Sequence, residues 1–240
     1  MVKNVLITAG GTVEAIDRVR SITNTGTGKL GSLIADSFSE YDSVKKIFYI
    51  HAKNSYVPTS DKAIKIVING TDELEKTMKK LCTEEKIDAV IHSMAVSDYR
   101  VRSVMNINSA ENLSKEKLLE KFDRENMLKS CNKLSSKIKN PIILLEQTPK
   151  ILPMFRRLLP EAVVVGFKLL DNVSHEELID TAYRLLVGNG CDYVLANDYV
   201  SVESGSHEGF LIDKEKCEIS RVGKQEIADM IAKTVINGGI

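Results

Sequence analysis

Short apolar runs alternate with stretches in which apolar residues recur every three or four positions, from residue 4 to the end of the chain. NVLIT (4–8), VKKIFYI (44–50), IKIVI (64–68), IDAVIHS (87–93), AVVVGF (162–167) and DYVLAN (192–197) have strand length and are mostly rich in β-branched residues, which predicts buried strands. KLGSLIADSF (29–38) sets Leu30, Leu33, Ile34 and Phe38 on one side of a helix. TDELEKTMKKLC (71–82) repeats the pattern with Leu74, Met78 and Leu81, and Thr71 reads as its N-cap ahead of an acidic first turn. Another helix is predicted near 175–187. Strand–helix alternation of this kind predicts an α/β fold: a doubly wound, mostly parallel, Rossmann-like sheet with helices on both faces. GFLIDK (209–214) and CEISR (217–221) add a late antiparallel edge, and a last helix is predicted near 224–236.

The stretch from about 100 to 140 breaks this rhythm. It holds a charged helical segment, EKLLEKFDREN (116–126), and then NKLSSKIKN. An ordinary solvated excursion and a lid over a binding site are both open readings. With 240 residues, a single domain over 1–240 is expected.

Composition narrows the function classes. Lys+Arg and Asp+Glu balance at 33 each, so overall charge points to neither nucleic acid nor a membrane surface. No apolar run approaches the roughly 20 residues of a membrane span, and strand one leaves no room for a signal peptide, so a cytoplasmic protein is expected. Cys82, Cys131, Cys191 and Cys217 are scattered without a C-x-x-C pair, the pattern of a reduced protein. His51, His92, His175 and His207 form no ligand pair at helical or hairpin spacing, and His92 at a strand end reads as structural.

The candidate chemistry lies in loops. In open parallel sheets ligands bind beyond the carboxyl ends of the strands. TAGGTVEAID (8–17), SMAVSDYR (93–100) and GFK (166–168) leave strands at that edge. Gly10 and Gly11 allow a tight turn and close approach to a ligand. TNTGTGKLG (23–31) spaces Gly26, Gly28 and Gly31 as G-x-G-x-x-G at a helix start, where backbone N–H groups and the helix dipole favour an anion. Two familiar readings fail. A dinucleotide fingerprint starts right after its strand and needs an acidic residue at the end of strand two, which here ends Ile50-His51-Ala52. A P-loop needs Ser or Thr after Gly-Lys, whereas Leu30 follows Lys29.

The ordered set ITAGGTVEAIDRVRSITNTGTGKLG, AVSDYR, NKLSS, TPKIL, VVGFK and LAND resembles the phosphopantothenoylcysteine synthetase (phosphopantothenate–cysteine ligase) family over about residues 3–235. The resemblance implies that CTP, with ATP as the alternative, activates the carboxylate of 4′-phosphopantothenate as an acyl-nucleotide. The L-cysteine amine then attacks it, with Mg²⁺ as cofactor. It implies a stand-alone bacterial form, a homodimer, and a place on the path to coenzyme A. The dimer interface is expected in the late 200–221 segment or in the middle excursion.

By the same resemblance Asn24 grips the acyl-nucleotide, while Gly26, Thr27, Gly28 and Lys29 face phosphates. Ala95 and Val96 pass close to the nucleotide through their backbone. Asp98 accepts from a base amine or ribose hydroxyl, or sits near Mg²⁺; the metal ligands are otherwise open. Lys133 matches the lysine of a mobile segment that covers the triphosphate. Phe167 borders the base, and Pro149, Lys150, Ile151 and Leu152 lie at the nucleotide site. Asn197 and Asp198 end a strand at the same edge. The chain departs from the bifunctional bacterial pattern at Ser135 and Ser136. Leu185 and Asn189 stand where that pattern has two nucleotide-contacting lysines, with Arg184 as the nearby substitute. These changes bear on CTP against ATP. The residues alone leave two competitors, a nicotinamide-dependent oxidoreductase and a non-catalytic nucleotide-binding protein.

Overall fold

The structure, a computed structural model, describes residues 1–107, 114–124 and 133–239; Cys131 and the 125–126 end of the charged segment fall outside them. In chain order the elements begin β1 (Asn4–Ala9), β2 (Val13–Ala15), β3 (Ser21–Thr23), α1 (Lys29–Ser39), β4 (Lys46–Ala52), β5 (Ala63–Ile68), α2 (Thr71–Glu84) and β6 (Ala89–His92). The excursion supplies β7 (Tyr99–Asn106), α3 (Lys115–Arg124) and β8 (Pro141–Gln147). Then follow α4 (Leu152–Leu158), β9 (Val163–Leu170), α5 (His175–Asn189), β10 (Tyr193–Asp198), α6 (Tyr199–Glu203), β11 (Glu208–Ile212), β12 (Glu218–Val222) and α7 (Lys224–Asn237).

The main sheet runs β12-β11-β10-β9-β6-β1-β4-β5. Its last six strands in that order, from β10 to β5, are parallel, and β11 and β12 add the antiparallel edge. Apart from the edge strand β5, which is largely exposed, the parallel strands are mostly buried, which is why most read as near-continuous apolar runs. One face packs Leu74 and Met78 of α2, Phe155 of α4 and Leu178 of α5; the other packs Ile34 and Phe38 of α1 and Ile227 and Ile231 of α7. The chain winds outward in both directions from β1, so the strand order reverses between β1 and β6. In open α/β sheets ligands bind at such a reversal point, beyond the carboxyl ends of the strands.

Three local expectations are corrected. Thr71 is not the N-cap of α2: Gly70 is, without a side-chain cap bond. The buried Glu14 carboxylate replaces the cap from β2, accepting from the Thr71 N–H at 2.9 Å and its hydroxyl at 2.7 Å. Phe167 and Lys168 do not leave their strand, because β9 continues to Leu170 while pairing with β10 through Asp198. The excursion is more regular than its pattern suggested, since β7 and β8 pair as an antiparallel ribbon with a register irregularity between Val101 and Ser103.

His92 is structural. It lies opposite Thr8 across β1–β6, and its Nδ1 is 2.7 Å from the Thr8 hydroxyl. Burial lowers its pKa to about 4, so the ring is neutral at physiological pH. Among the described residues, no helix is long and apolar enough to cross a membrane.

Candidate functional site

At the reversal point the exits of β1 and β6 are stitched together. Gly11 and Ala95 form a parallel bridge, and the Ala95 N–H donates to the Gly10 carbonyl at 2.8 Å. The Ala95 carbonyl accepts from the Thr12 N–H at 3.1 Å and from the Asn24 amide nitrogen at 3.0 Å. One amide N–H of Asn24 is thereby engaged within the chain, and the side chain has a second N–H and an acceptor oxygen besides.

The glycines let these segments approach one another. A Cβ on Gly11 would collide with the Asn24 carbonyl oxygen, and one on Gly10 with the Ser55 hydroxyl. Gly26 lies against the Gly10 carbonyl and Ala95 in the same way, at 3.0 and 3.4 Å from where its Cβ would stand. Gly28 is the N-cap of α1 at φ 74°, in the left-handed region open to glycine. It makes no side-chain cap bond, and the first turn holds no acidic residue. Beyond a long bond from the Lys29 N–H to the Thr27 hydroxyl at 3.4 Å, no acidic side chain offsets the partial positive charge of the first N–H groups of α1.

A loop that sequence reasoning passed over completes this cradle. After β4 the chain places Ser55 in the notch between Gly10 and Gly28, and the Tyr56 N–H donates to the Thr27 carbonyl at 3.0 Å. The buried Tyr49 hydroxyl donates to the Tyr56 carbonyl at 2.9 Å, and burial raises its pKa. Lys29 extends its ammonium over the Tyr56 ring, 5.0 Å from the centroid. The sequence carries the signal, because β4 runs parallel to β1 and its exit lies at the same edge as those of β1 and β6.

Thr12, fully buried, joins a second group to the first. Its hydroxyl accepts from the Ser97 N–H at 2.9 Å, and the Ser97 carbonyl accepts from the Thr148 hydroxyl at 2.5 Å. The Thr148 N–H donates to the Asp98 carbonyl, and the Asp98 carboxylate pairs with Lys150 at 2.6 Å. Pro149 is exposed beside them. Ile151, Leu152 and Val96 instead pack against the core, with Ile151 buried and the other two half-buried. Phe167 is half-buried on the other face, registered with Leu195.

Lys133 is exposed where the chain returns from the excursion. The next residue is clamped to the β2–β3 hairpin: the Leu134 N–H donates to the Asp17 carboxylate at 3.0 Å, and Arg20 donates to the Leu134 carbonyl at 2.9 Å. Asp17 also accepts from the Arg20 guanidinium at 2.6 Å and from the Val19 N–H. The Arg20 pairing, then the backbone bonds, hold its carboxyl well below the usual carboxylate range. Since Asn24 directly follows β3, this hairpin carries Asn24 near one end and holds the Lys133 segment near the other.

On α5, at the places compared with nucleotide-contacting lysines, Leu185 packs toward Gly166, and Asn189 donates to the Leu185 carbonyl. Arg184 reaches Thr181.

The family model described as "DNA/pantothenate metabolism flavoprotein C-terminal domain" matches residues 1–120 and 122–238. A "Coenzyme A biosynthesis bifunctional protein CoaBC" from Thermococcus kodakarensis is 30% identical over 233 residues, 95% of this chain and 50% of that protein. The chain spans about half the length of the curated relatives it matches. The crystal structure of the DNA/pantothenate metabolism flavoprotein from Streptococcus pneumoniae superposes with TM-score 0.87 at 29% identity, covering 99% of this chain and 100% of that one. A Cab2 mutant in complex with phosphopantothenate-cysteine shares the fold at TM-score 0.70 and 17% identity, covering 98% of this chain and 86% of that one.

Proposed function

The chain belongs to the family of the DNA/pantothenate metabolism flavoprotein C-terminal domain, and from that premise we propose that it is a phosphopantothenate–cysteine ligase acting in coenzyme A biosynthesis. The observation that carries the reading is the meeting of Asn24, the uncapped start of α1 and the Ala95 carbonyl at the crevice between β1 and β6. A carboxylate oxygen of 4′-phosphopantothenate attacks the α-phosphorus of CTP or ATP, and the bond to the β-phosphate breaks to release pyrophosphate. The L-cysteine amine then attacks the acyl carbon, forming the amide and releasing the nucleoside monophosphate and a proton.

Both steps gather negative charge, so fixed donors are what the protein must supply. The N–H groups of Thr27 to Leu30 and the Lys29 ammonium meet phosphates. The free half of the Asn24 amide holds the acyl group. Lys133, held at the hairpin through its neighbour, covers the triphosphate, while Phe167 borders the base. Among the described residues no three potential ligands gather into a metal site. Mg²⁺ that arrives on phosphates needs only one or two protein carboxylates, and Asp98 fits that role. When bound, Mg²⁺ supplies charge neutralisation at the phosphates.

The protein acts as one ligase unit in the cytoplasm and as a homodimer. Ile143 and Leu145 are 38% and 42% exposed on β8 of the two-stranded ribbon, a form marginal by itself in water, which favours that ribbon as the interface. Sedimentation showing a monomer at micromolar concentration would remove the dimer.

The deciding experiment omits cysteine. Protein, 4′-phosphopantothenate, Mg²⁺ and either CTP or ATP are expected to give an acyl-nucleotide and pyrophosphate by mass spectrometry. The intermediate then disappears when L-cysteine is added, and the better nucleotide identifies the preference. No intermediate or product with either nucleotide would leave a binding protein without this chemistry.

A further inference from the structure

Lys29 has no carboxylate partner among the described residues, and its ammonium rests on an aromatic face. Asp36 is the first acidic residue along its helix. The loop that follows β4 occupies it: the Thr59 N–H, the Thr59 hydroxyl and the Ser60 N–H donate to Asp36 Oδ1 at 2.8, 3.1 and 3.0 Å. The same loop supplies the Tyr56 ring. It is fastened at Tyr56 on both sides of the residue, by its N–H to the Thr27 carbonyl and by its carbonyl to the Tyr49 hydroxyl. Ser55 seats it in the glycine notch. Tyr56 itself is 57% exposed, so core packing does not account for the ring, and its hydroxyl makes no hydrogen bond among the described residues.

We propose that Tyr56 is a positioning residue for the nucleotide triphosphate, its ring supporting the Lys29 ammonium beside the uncapped start of α1 while the other face of that ammonium meets a phosphate. This rests on the nucleotide reading of the site given above. A free lysine side chain samples many rotamers and must be ordered on binding, which weakens binding. A ring below the ammonium restricts those rotamers before the ligand arrives, without placing a competing anion there. A carboxylate in the same place would have to be displaced by the phosphate; a π face need not be.

The test is calorimetric titration of CTP and of ATP, each with Mg²⁺, into the wild-type protein, Tyr56→Leu, Tyr56→Phe, Lys29→Met and the Tyr56→Leu/Lys29→Met double variant. The expected result is a roughly two- to fivefold rise in Kd for Tyr56→Leu, the size of an exposed cation–π contact. Tyr56→Phe, which keeps the ring, restores most of the affinity. In the Lys29→Met background, Tyr56→Leu adds no further loss. In steady-state assays KM for the nucleotide rises, with kcat and the KM for 4′-phosphopantothenate little changed. Equal or tighter binding by Tyr56→Leu, or a loss that persists without Lys29, overturns the proposal and leaves the nucleotide site standing. Failure of the wild-type protein to bind either nucleotide overturns the site reading and this inference together.

Discussion

The crevice has two walls built on different principles. Around Gly10, Gly11, Gly26 and Gly28 the chain packs backbone on backbone where side chains are missing, and Asn24 is fixed on the Ala95 carbonyl. Around Asp98 the closing contact is an ion pair whose side chains are 65% and 72% exposed. A wall of the first kind resists any added atom, and its donors are in place before a ligand arrives. A pair of the second kind contributes little to stability, so either partner can exchange it for a ligand at small cost. The contrast suits the proposed ligase reaction, which would need a rigid oxyanion and acyl site beside charges that reorganise around a triphosphate and its metal.

The largest effect should come from Asn24→Asp. The substitution places a carboxylate oxygen 3.0 Å from the Ala95 carbonyl, acceptor against acceptor, and adds negative charge where the proposed reaction develops phosphate charge. Turnover should fall about 100- to 1,000-fold, the cost of removing one fixed donor from an oxyanion site. Folding should persist, since Asn24 is exposed. Near-normal turnover would mean that the first wall is packing alone. Gly11→Ala attacks the same wall without touching its chemistry. The new Cβ would meet the Asn24 carbonyl oxygen and lie 3.1 Å from the carbonyl carbon, so the Asn24 backbone must move. A displacement of that order costs about 100-fold in kcat/KM. Melting should drop as well, with overpacking of about 1–3 kcal/mol.

Much of this wall was legible in the sequence, but only where the signal was local. The buried parallel strands, α1 behind its glycine loop and the late antiparallel edge follow from runs and periods that a short window contains. The β7–β8 ribbon pairs Asn106 with Pro141 across the excursion, and no local pattern reports such a partner. The cap of α2 was misread for the same reason: Thr71 invites the role, but Glu14, 57 residues earlier, performs it from β2. α6 and the β2–β3 hairpin are too short to show a period. Within the site, Asn24, Ala95 and the glycines came from a motif, whereas Ser55, Tyr56 and Asp17 work through contacts formed only by the fold.

A third experiment examines the frame that holds the rigid wall. β1 and β6 are joined through Thr8 and His92 just below it, and His92 is buried as a neutral ring with its pKa lowered to about 4. In the unfolded chain the same ring takes up a proton near pH 6.5. Between those values the unfolded state binds more protons, so stability must fall as pH drops from about 6.5 toward 4. The contribution from this one group approaches 1.4 kcal/mol per pH unit. Urea unfolding between pH 7 and 4.5 should show that slope, and His92→Asn should flatten it while lowering stability at pH 7. An unchanged slope in the variant would assign the acid sensitivity to other groups.

The smallest effect on stability is expected from Lys150→Met, which tests the second wall. With both partners exposed, breaking the pair with Asp98 should change unfolding free energy by less than about 1 kcal/mol. If the pair is a resting arrangement at the nucleotide site, the same substitution should nevertheless raise KM for the triphosphate, and added salt should reduce the difference between the two proteins as it screens the exposed charges. A stability loss comparable to that of Gly11→Ala, with the nucleotide KM unmoved, would make the Asp98–Lys150 bridge a strut. The crevice would then have two rigid walls, and the charge that reorganises around the triphosphate would have to come from Lys29 and Lys133.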